Sequence, residues 1–134
     1  MVIESISAQA TWPLRHRVMW PNLPLDFVKL ENDVEGYHYG IFCNENIVSC
    51  ISLFVQDESA QFRKLATKQE FQRKGYASEL IIHVVNICRQ MKLKKIWCNA
   101  RMDKTDFYEN FGLAKTNERF IKRGIEFVVM ERIL

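Results

Sequence analysis

The chain has 134 residues and a mass of 15.9 kDa, which is the size of one domain, so residues 1–134 are expected to form a single folded unit. Its contents of 48% hydrophobic and 26% charged residues are typical of globular proteins and exclude disordered and collagen-like classes. The net charge of +3 is too small to indicate nucleic-acid binding by itself. No apolar run reaches the roughly 20 residues of a membrane-spanning helix, and the N-terminus has no basic leader. We therefore expect a cytoplasmic protein without a membrane partner.

The first half of the chain is predicted to contain one helix and four strands. The helix is expected to begin at a cap formed by Ser7 or Thr11 and to end at Trp20, because Pro21 cannot continue it. Alternating apolar residues and short polar turns predict the hairpin and the strand that follows it. The strands are expected at residues 1–6, 37–43, 47–55 and 61–67.

In the second half, the hydrophobic period changes from two to between three and four. Apolar residues from Ala77 to Met91 have the spacing of an amphipathic helix. A short helix is expected at residues 104–111, where Gly112 provides the usual stop. The remaining apolar runs predict strands at residues 96–100, 113–116 and 125–133. This order of elements predicts one mixed sheet covered by helices, an α/β or α+β fold.

The four cysteines lie within apolar runs and show no CxxC spacing. A zinc cluster or a disulfide framework is therefore not expected. The sequence predicts buried, reduced thiols and no metal site; the cysteines are Cys43, Cys50, Cys88 and Cys98.

The segment that connects the strand at 61–67 to the helix after it is a candidate phosphate site. Backbone N–H groups at a helix N-terminus favour an anion, and Gly75 lets the backbone approach a ligand closely. Arg73 and Lys74 add positive charge, but the glycines of a nucleotide-binding P-loop or a dinucleotide fingerprint are absent. A solvated basic turn is an equally good explanation of this segment alone. The candidate residues are Gln72, Arg73, Lys74, Gly75, Tyr76 and Ala77.

Three segments in this order resemble the GNAT superfamily of N-acyltransferases. Residues 72–77 fit the Gln/Arg-x-x-Gly-x-Gly/Ala pattern with which that family binds the pyrophosphate of coenzyme A. Residues 63–67 resemble its central strand, and residues 107–113 resemble its Phe/Leu-Tyr-Glu-x-x-Gly-Phe box. The resemblance implies a mixed, mostly antiparallel sheet that is splayed at its central strands and flanked by helices.

The resemblance also implies a reaction and the residues that support it. An amine would attack acetyl-CoA directly, without a metal or a covalent enzyme intermediate. Backbone groups of Leu65 and Thr67 would hold the pantetheine arm, and N–H groups near Leu65 and Ala66 would stabilise the oxyanion. Tyr108 would protonate the departing thiolate. A core aromatic on a short helix is the alternative explanation for Tyr108.

The residue that removes the proton of the amine is not identified by the sequence. Arg63 and Lys64 stand where some family members have an acidic residue, and Arg101 stands where many have an asparagine, which this chain has at Asn99. Transfer of the proton to water explains the reaction equally well. Side chains of a suitable type are Glu31, His38, Asp57 and Glu58.

The acceptor amine is likewise not identified. In the family, the region of the first helix and the loop at 21–33 closes over the substrate, so an acidic or aromatic acceptor could bind there, although a solvated helix face is the alternative. The helix residues concerned are Arg15, His16, Arg17 and Trp20.

Two other functions remain open at this point. One is an acyl-CoA-binding or sensing domain without catalysis. The other is a nucleic-acid-binding module, although its basic residues lack the interleaved aromatic platform that single-stranded nucleic acids require. A homodimer is compatible with either function and with the enzyme. The basic residues are Arg73, Lys74, Lys92, Lys94 and Lys95.

Overall fold

A computed structural model describes residues 2–134, so the predicted start of the first strand at Met1 lies outside the described residues. These residues form seven strands and three α-helices. The strands are β1 (Ile3–Ile6), β2 (Tyr37–Cys43), β3 (Asn46–Gln56), β4 (Ser59–Thr67), β5 (Lys95–Arg101), β6 (Ala114–Lys122) and β7 (Ile125–Ile133). The helices are α1 (Ala8–Met19), α2 (Tyr76–Gln90) and α3 (Thr105–Glu109). None of the helices within residues 2–134 is long and apolar enough to cross a membrane.

All seven strands form one mixed sheet, in the order β1-β2-β3-β4-β5-β7-β6. Every neighbouring pair is antiparallel except β4 and β5, which are parallel. That parallel pair is short, because only residues 59–61 of β4 face residues 95–97 of β5. The expected mixed, mostly antiparallel sheet is confirmed, and its central strands separate beyond this short contact.

Helices α1 and α2 cover opposite faces of the sheet. Successive side chains of a strand point to opposite faces, and on β3 Cys50 packs with Leu14 of α1 while Ile51 belongs to the cluster that contains Leu80 of α2. The predicted helix over 77–91 is confirmed to within one residue at each end. Of the two candidate caps for α1, Ser7 is correct: its hydroxyl accepts a hydrogen bond from the N–H of Ala10 at 3.1 Å.

The prediction for the sixth strand was wrong in length. It was expected to end at Thr116, but β6 runs from Ala114 to Lys122 and pairs with β7. Nearly every residue of β6 is exposed, because it lies at the edge of the sheet. Without a buried face, its sequence lacks the apolar alternation that identifies a strand.

Three of the four cysteines are buried as expected, and Cys43 is half-buried. All four have free thiols. Burial raises the pKa of the Cys50 and Cys98 thiols to about 12, so both are protonated at neutral pH and are poor nucleophiles.

Candidate functional site

The candidate site is the opening where β4 and β5 diverge. In β4 the register against β3 shifts, so that Lys64 and Leu65 both fall in the interval that Ile51 alone occupies on β3. Lys64 has a positive φ of 57°, and such a bulge bends and twists the strand that carries it. Residues 62–67 of β4 therefore pair with β3 on one side only. Their other edge presents free backbone groups to the opening.

The β4 strand leads directly into the loop that was predicted to bind phosphate. The loop is held to the end of this strand, because the Gln72 side-chain amide donates a hydrogen bond to the carbonyl of Thr67, the last residue of β4, at 3.0 Å. Arg73 and Gly75 have positive φ values of 62° and 89°, and the second of these suits glycine. A Cβ atom at Gly75 would meet no heavy atom within 4 Å. The backbone here is therefore open to a ligand.

The start of α2 supplies unpaired donors at this position. The first helical hydrogen bond runs from the N–H of Glu79 to the Gly75 carbonyl at 3.0 Å, and no side chain caps the helix. Within residues 2–134, the N–H groups of residues 75–78 have no hydrogen-bond partner. These four groups lie at the positive end of a 15-residue helix, an arrangement that binds anions.

Tyr108 lies on α3, and its ring contacts β4 across the opening. The ring centroid is 5.9 Å from that of Phe62 in β4 and 5.3 Å from that of Phe107. Burial raises the pKa of Tyr108, and the nearby Cys98 thiol raises it further. The phenol is therefore protonated at neutral pH. Its hydroxyl makes no hydrogen bond to another part of the described chain.

None of the predicted base candidates provides a free base in the opening. His38 is buried, and both ring nitrogens are occupied: Nε2 donates to the Asp33 carbonyl at 2.8 Å, and Nδ1 lies 2.7 Å from the Ser52 hydroxyl. Asp57 and Glu58 form the turn before β4, at the end where the sheet is closed, and Glu58 pairs with Lys94 at 3.3 Å.

The remaining candidate, Glu31, is exposed on the segment between α1 and β2. The hypothesis of a side-chain base therefore gains no support from its position.

The expected role of Arg15 in acceptor binding is also not supported. Arg15 is fully buried and donates to both carboxylate oxygens of Asp33, at 2.8 and 2.9 Å. It also donates to the Val28 carbonyl at 3.1 Å and to the Ser52 hydroxyl at 2.8 Å. Since Asp33 and Val28 lie between α1 and β2, Arg15 fastens the segment of residues 21–36, which we call the cover segment, to α1 and β3.

Other residues of α1 contact the cover segment or a neighbouring cleft. His16 Nε2 donates to the Leu23 carbonyl at 2.6 Å. Trp20 packs edge-on against Phe27, with ring centroids 5.3 Å apart. Arg17 is exposed and lines a cleft of about 670 Å³ together with Lys68 of the phosphate loop. Of the predicted acceptor residues, Trp20 therefore packs against the cover segment, and His16 forms a hydrogen bond to the backbone of that segment.

The side chains of Asn99 and Arg101 are exposed on β5. Arg101 lies 3.6 Å from Asp103, an exposed pair of low energetic value. On β4, Lys64 is half-buried, and this burial, together with the positive charges of Arg63, Arg15 and Lys122, lowers its pKa to about 8.

Comparison with known proteins assigns the chain to a family. Residues 26–134 match the family model described as an acetyltransferase (GNAT) domain. The chain is 27% identical over 142 residues to the uncharacterized N-acetyltransferase YitI of Bacillus subtilis, covering 98% of this chain and 95% of that protein.

Solved structures agree on the fold. A crystal structure from Lactobacillus plantarum is 18% identical and superposes with a TM-score of 0.87, covering 100% of this chain and 99% of the other. A GNAT family acetyltransferase from Elizabethkingia anophelis, with acetyl-CoA bound, is 18% identical with a TM-score of 0.78 and covers 99% and 97% of the two chains.

The mixed sheet, splayed beside the uncapped start of α2, has the architecture of an acyltransferase. The chain belongs to the GNAT acetyltransferase family and is an N-acetyltransferase.

Proposed function

We propose that this enzyme binds acetyl-CoA through residues 65–67 and 72–77 and transfers the acetyl group to a primary amine in the opening between β4 and β5. The observation that supports this proposal most directly is the continuity of the two backbone features. The unpaired edge of β4 ends at Thr67, and residues 68–74, held to Thr67 by the Gln72 side chain, connect it to the unpaired N–H groups of residues 75–78. A ligand with an extended amide-containing arm and a pyrophosphate at its end matches both.

In this proposal, the pantetheine arm lies along Leu65, Ala66 and Thr67 as an added strand. Its amides pair with backbone groups of β4 that have no partner on the β5 side. The pyrophosphate accepts hydrogen bonds from the backbone at Gly75, Tyr76 and Ala77. Three further loop residues are proposed to lie beside the phosphates: Gln72, Arg73 and Lys74. The two cationic side chains add positive charge at the rim of the site.

The chemistry then depends mainly on positioning. The neutral amine nitrogen attacks the thioester carbon, a C–N bond forms, and the carbonyl oxygen becomes an oxyanion that a β4 N–H near Leu65 or Ala66 stabilises. The C–S bond breaks as the intermediate collapses. Tyr108 gives its proton to the thiolate, while the amine proton passes to water.

The assignment of Tyr108 as the acid is supported by its protonation state. A phenol whose pKa is raised by burial holds its proton at neutral pH until a strong base such as a thiolate forms beside it. The hydroxyl is also not committed to another hydrogen bond among the described residues. Packing against Phe62 holds the ring at the opening.

We also infer a cytoplasmic location. Its support is the set of four free cysteines, three of them buried, in a fold that has no disulfide among residues 2–134.

The phosphate loop can be tested with two glycine variants. Gly75→Glu places a negative side chain where the pyrophosphate is proposed to lie, so calorimetric affinity for coenzyme A should fall at least about 100-fold, the loss expected when charge-assisted contacts are replaced by repulsion. Gly124→Glu is the matched control, because Gly124 also has a positive φ, 76°, and open space around its Cβ position.

The control variant should bind coenzyme A with wild-type affinity. Equal affinity of folded Gly75→Glu and Gly124→Glu proteins would refute the assignment of the phosphate loop. Release of free thiol from acetyl-CoA in the presence of an amine panel then tests turnover by the wild-type enzyme.

A further inference from the structure

A group of cationic side chains lies beside the opening, on the side covered by α1. Arg63 and Lys64 are on β4, and Lys122 and Arg123 are at the turn between β6 and β7. Within residues 2–134, none of the four forms a salt bridge or a side-chain hydrogen bond. We call these four residues the cationic cluster.

The turn between β6 and β7 contacts the cover segment through this cluster. The Arg123 guanidinium lies 4.5 Å from the ring centroid of Phe27 and 5.3 Å from that of Trp20. Arg123 therefore holds the turn against Trp20 of α1 and Phe27 of the cover segment. On β4, Arg63 pairs with Ser52 of β3, whose hydroxyl accepts a hydrogen bond from the buried Arg15 of α1, so the Arg63 side chain is on the face of the sheet that α1 covers.

Among the described residues, no carboxylate lies within salt-bridge distance of the cluster. Arg63, Arg15 and Lys122 are close enough to Lys64 for their charges to disfavour its protonated form. Asp33 is the carboxylate near them, and both of its oxygens are already bonded to the buried Arg15. Clustered like charges are unfavourable unless an anion binds between them. Among the described residues, the positive charges of the cluster therefore remain unpaired beside the opening proposed for acetyl transfer.

We propose that the acceptor amine of this enzyme carries an anionic oxygen group, a carboxylate or a phosphate, and that the cationic cluster binds that group. This inference rests on the proposed function. Arg63 and Arg123 can bind either group with two parallel hydrogen bonds, whereas Lys64 and Lys122 contribute point charges. The amine end would then be directed to the thioester, and the anionic end would remain at the cluster.

The test compares amines in matched pairs with saturating acetyl-CoA. The pairs are phenylalanine and phenylalaninamide, β-alanine and β-alaninamide, and O-phosphoethanolamine and ethanolamine. In at least one pair, the anionic member should have a kcat/KM at least about tenfold higher, since a charge-assisted hydrogen bond contributes about 1.5–3 kcal/mol and 1.4 kcal/mol is tenfold. The amide amines lose their protons more readily, so this bias opposes the expected preference. The first two pairs test carboxylate, and the third tests phosphate.

Variants of the cluster provide the second measurement. Lys64→Met and Arg123→Gln should each reduce the preference for the anionic amine at least about fivefold, and Arg123→Glu should abolish it. Lys115→Met, at an exposed lysine near the other end of β6, should leave it unchanged. The three substitutions fall at two sites, one on β4 and one in the turn between β6 and β7, so a folding defect at one site does not decide the result.

Two outcomes would overturn the inference: neutral amines that are acetylated as fast as their anionic partners in all three pairs, or no turnover of any anionic amine by an enzyme that binds acetyl-CoA. Failure of the proposed function itself is distinguishable, because calorimetry would then detect no acetyl-CoA binding by the wild-type protein.

Discussion

At the scale of single residues, Tyr108 combines a structural and a chemical property. Its ring packs against Phe62 and Phe107, as a core aromatic would. Its hydroxyl, however, is uncommitted among the described residues and has a raised pKa. These two descriptions are compatible, because the same packing that buries the ring also keeps the phenol protonated.

Tyr108→Phe separates the two contributions, since it keeps the ring and removes the acid. We expect kcat to fall by about 10²–10⁴-fold, with little change in the affinity for acetyl-CoA, because the lost interaction exists mainly in the transition state. Thiol release measures kcat and calorimetry measures affinity. Tyr37→Phe, at an exposed tyrosine of β2, is the control.

A wild-type kcat in the Tyr108→Phe enzyme, at a pH where the chemical step limits turnover, would remove Tyr108 from the mechanism. Loss of stability without loss of kcat would identify it as a core residue only.

At the scale of elements, the buried pair of Arg15 and Asp33 determines where the cover segment lies. Asp33 also accepts hydrogen bonds from the Trp12 indole at 2.9 Å and from the Leu30 N–H at 3.0 Å. Burial alone would raise the pKa of Asp33, but the hydrogen bonds from Arg15, Leu30 and Trp12 outweigh it, and the pKa is lowered. The carboxylate therefore connects α1 to the cover segment in its ionised form.

Removing the negative charge of Asp33 should lower the free energy of unfolding. Asp33→Asn leaves Arg15 buried without a counter-charge, and breaking a buried pair in this way destabilises proteins by about 3–5 kcal/mol. Urea denaturation measures this loss. Asp26→Asn is the control, since Asp26 forms an exposed pair with Lys29 at 2.7 Å, and it should not change stability measurably. Equal stability of the two variants would contradict the structural role of Asp33.

The same pair predicts a dependence on pH. Because the folded-state pKa of Asp33 lies below its ordinary value of 3.8, its contribution to stability is complete above that value and is lost as the pH falls through the lower, folded-state pKa. The Asp33→Asn variant lacks this part of the acid-induced loss.

Sequence patterns predicted the elements whose packing is local and regular. Helix α2 has one buried stripe, so the spacing of Leu80, Ile81 and Val84 identified it. The candidate phosphate loop was predicted because a glycine precedes a helix there, and the structure gives that glycine a positive φ. Strand β6 was only partly found, because its exposed residues carry no burial pattern.

The contacts that the sequence did not reveal are those between distant residues. Arg15 and Asp33 are 18 positions apart, and His38 bonds Ser52 across 14 positions. Arginine and histidine are rarely fully buried, so Arg15 was expected near the acceptor and His38 was a candidate for the base. Only the fold shows that β3 supplies a hydroxyl between them.

The cationic cluster also brings together residues that are far apart in the sequence. Its residues come from β4 and from the turn between β6 and β7, and the sheet order that places them beside one opening is a property of the assembled fold. Arg63 and Lys64 were noted as departures from an acidic position. The structure connects that departure to Lys122 and the cover segment.

At the scale of the whole molecule, the proposed binding and chemistry share one opening in one sheet. The short contact of β4 with β5 and the bulge at Lys64 leave one backbone edge of β4 unpaired, and the start of α2, where we propose that the pyrophosphate binds, follows β4 in the chain. The family assignment agrees with this architecture. The cationic cluster that we propose to bind the acceptor lies beside the same opening.

The central claim is that coenzyme A binds along β4 and at the start of α2. Its most direct test is the two-dimensional ¹H–¹⁵N spectrum of the full chain, with assigned amides, titrated with coenzyme A. The account predicts that the largest shifts fall on the amides of residues 65–67 and 72–78 and that residues 115–119 of β6 remain unshifted. Saturating shifts confined to any other part of the chain, or no shifts at millimolar coenzyme A, would contradict it.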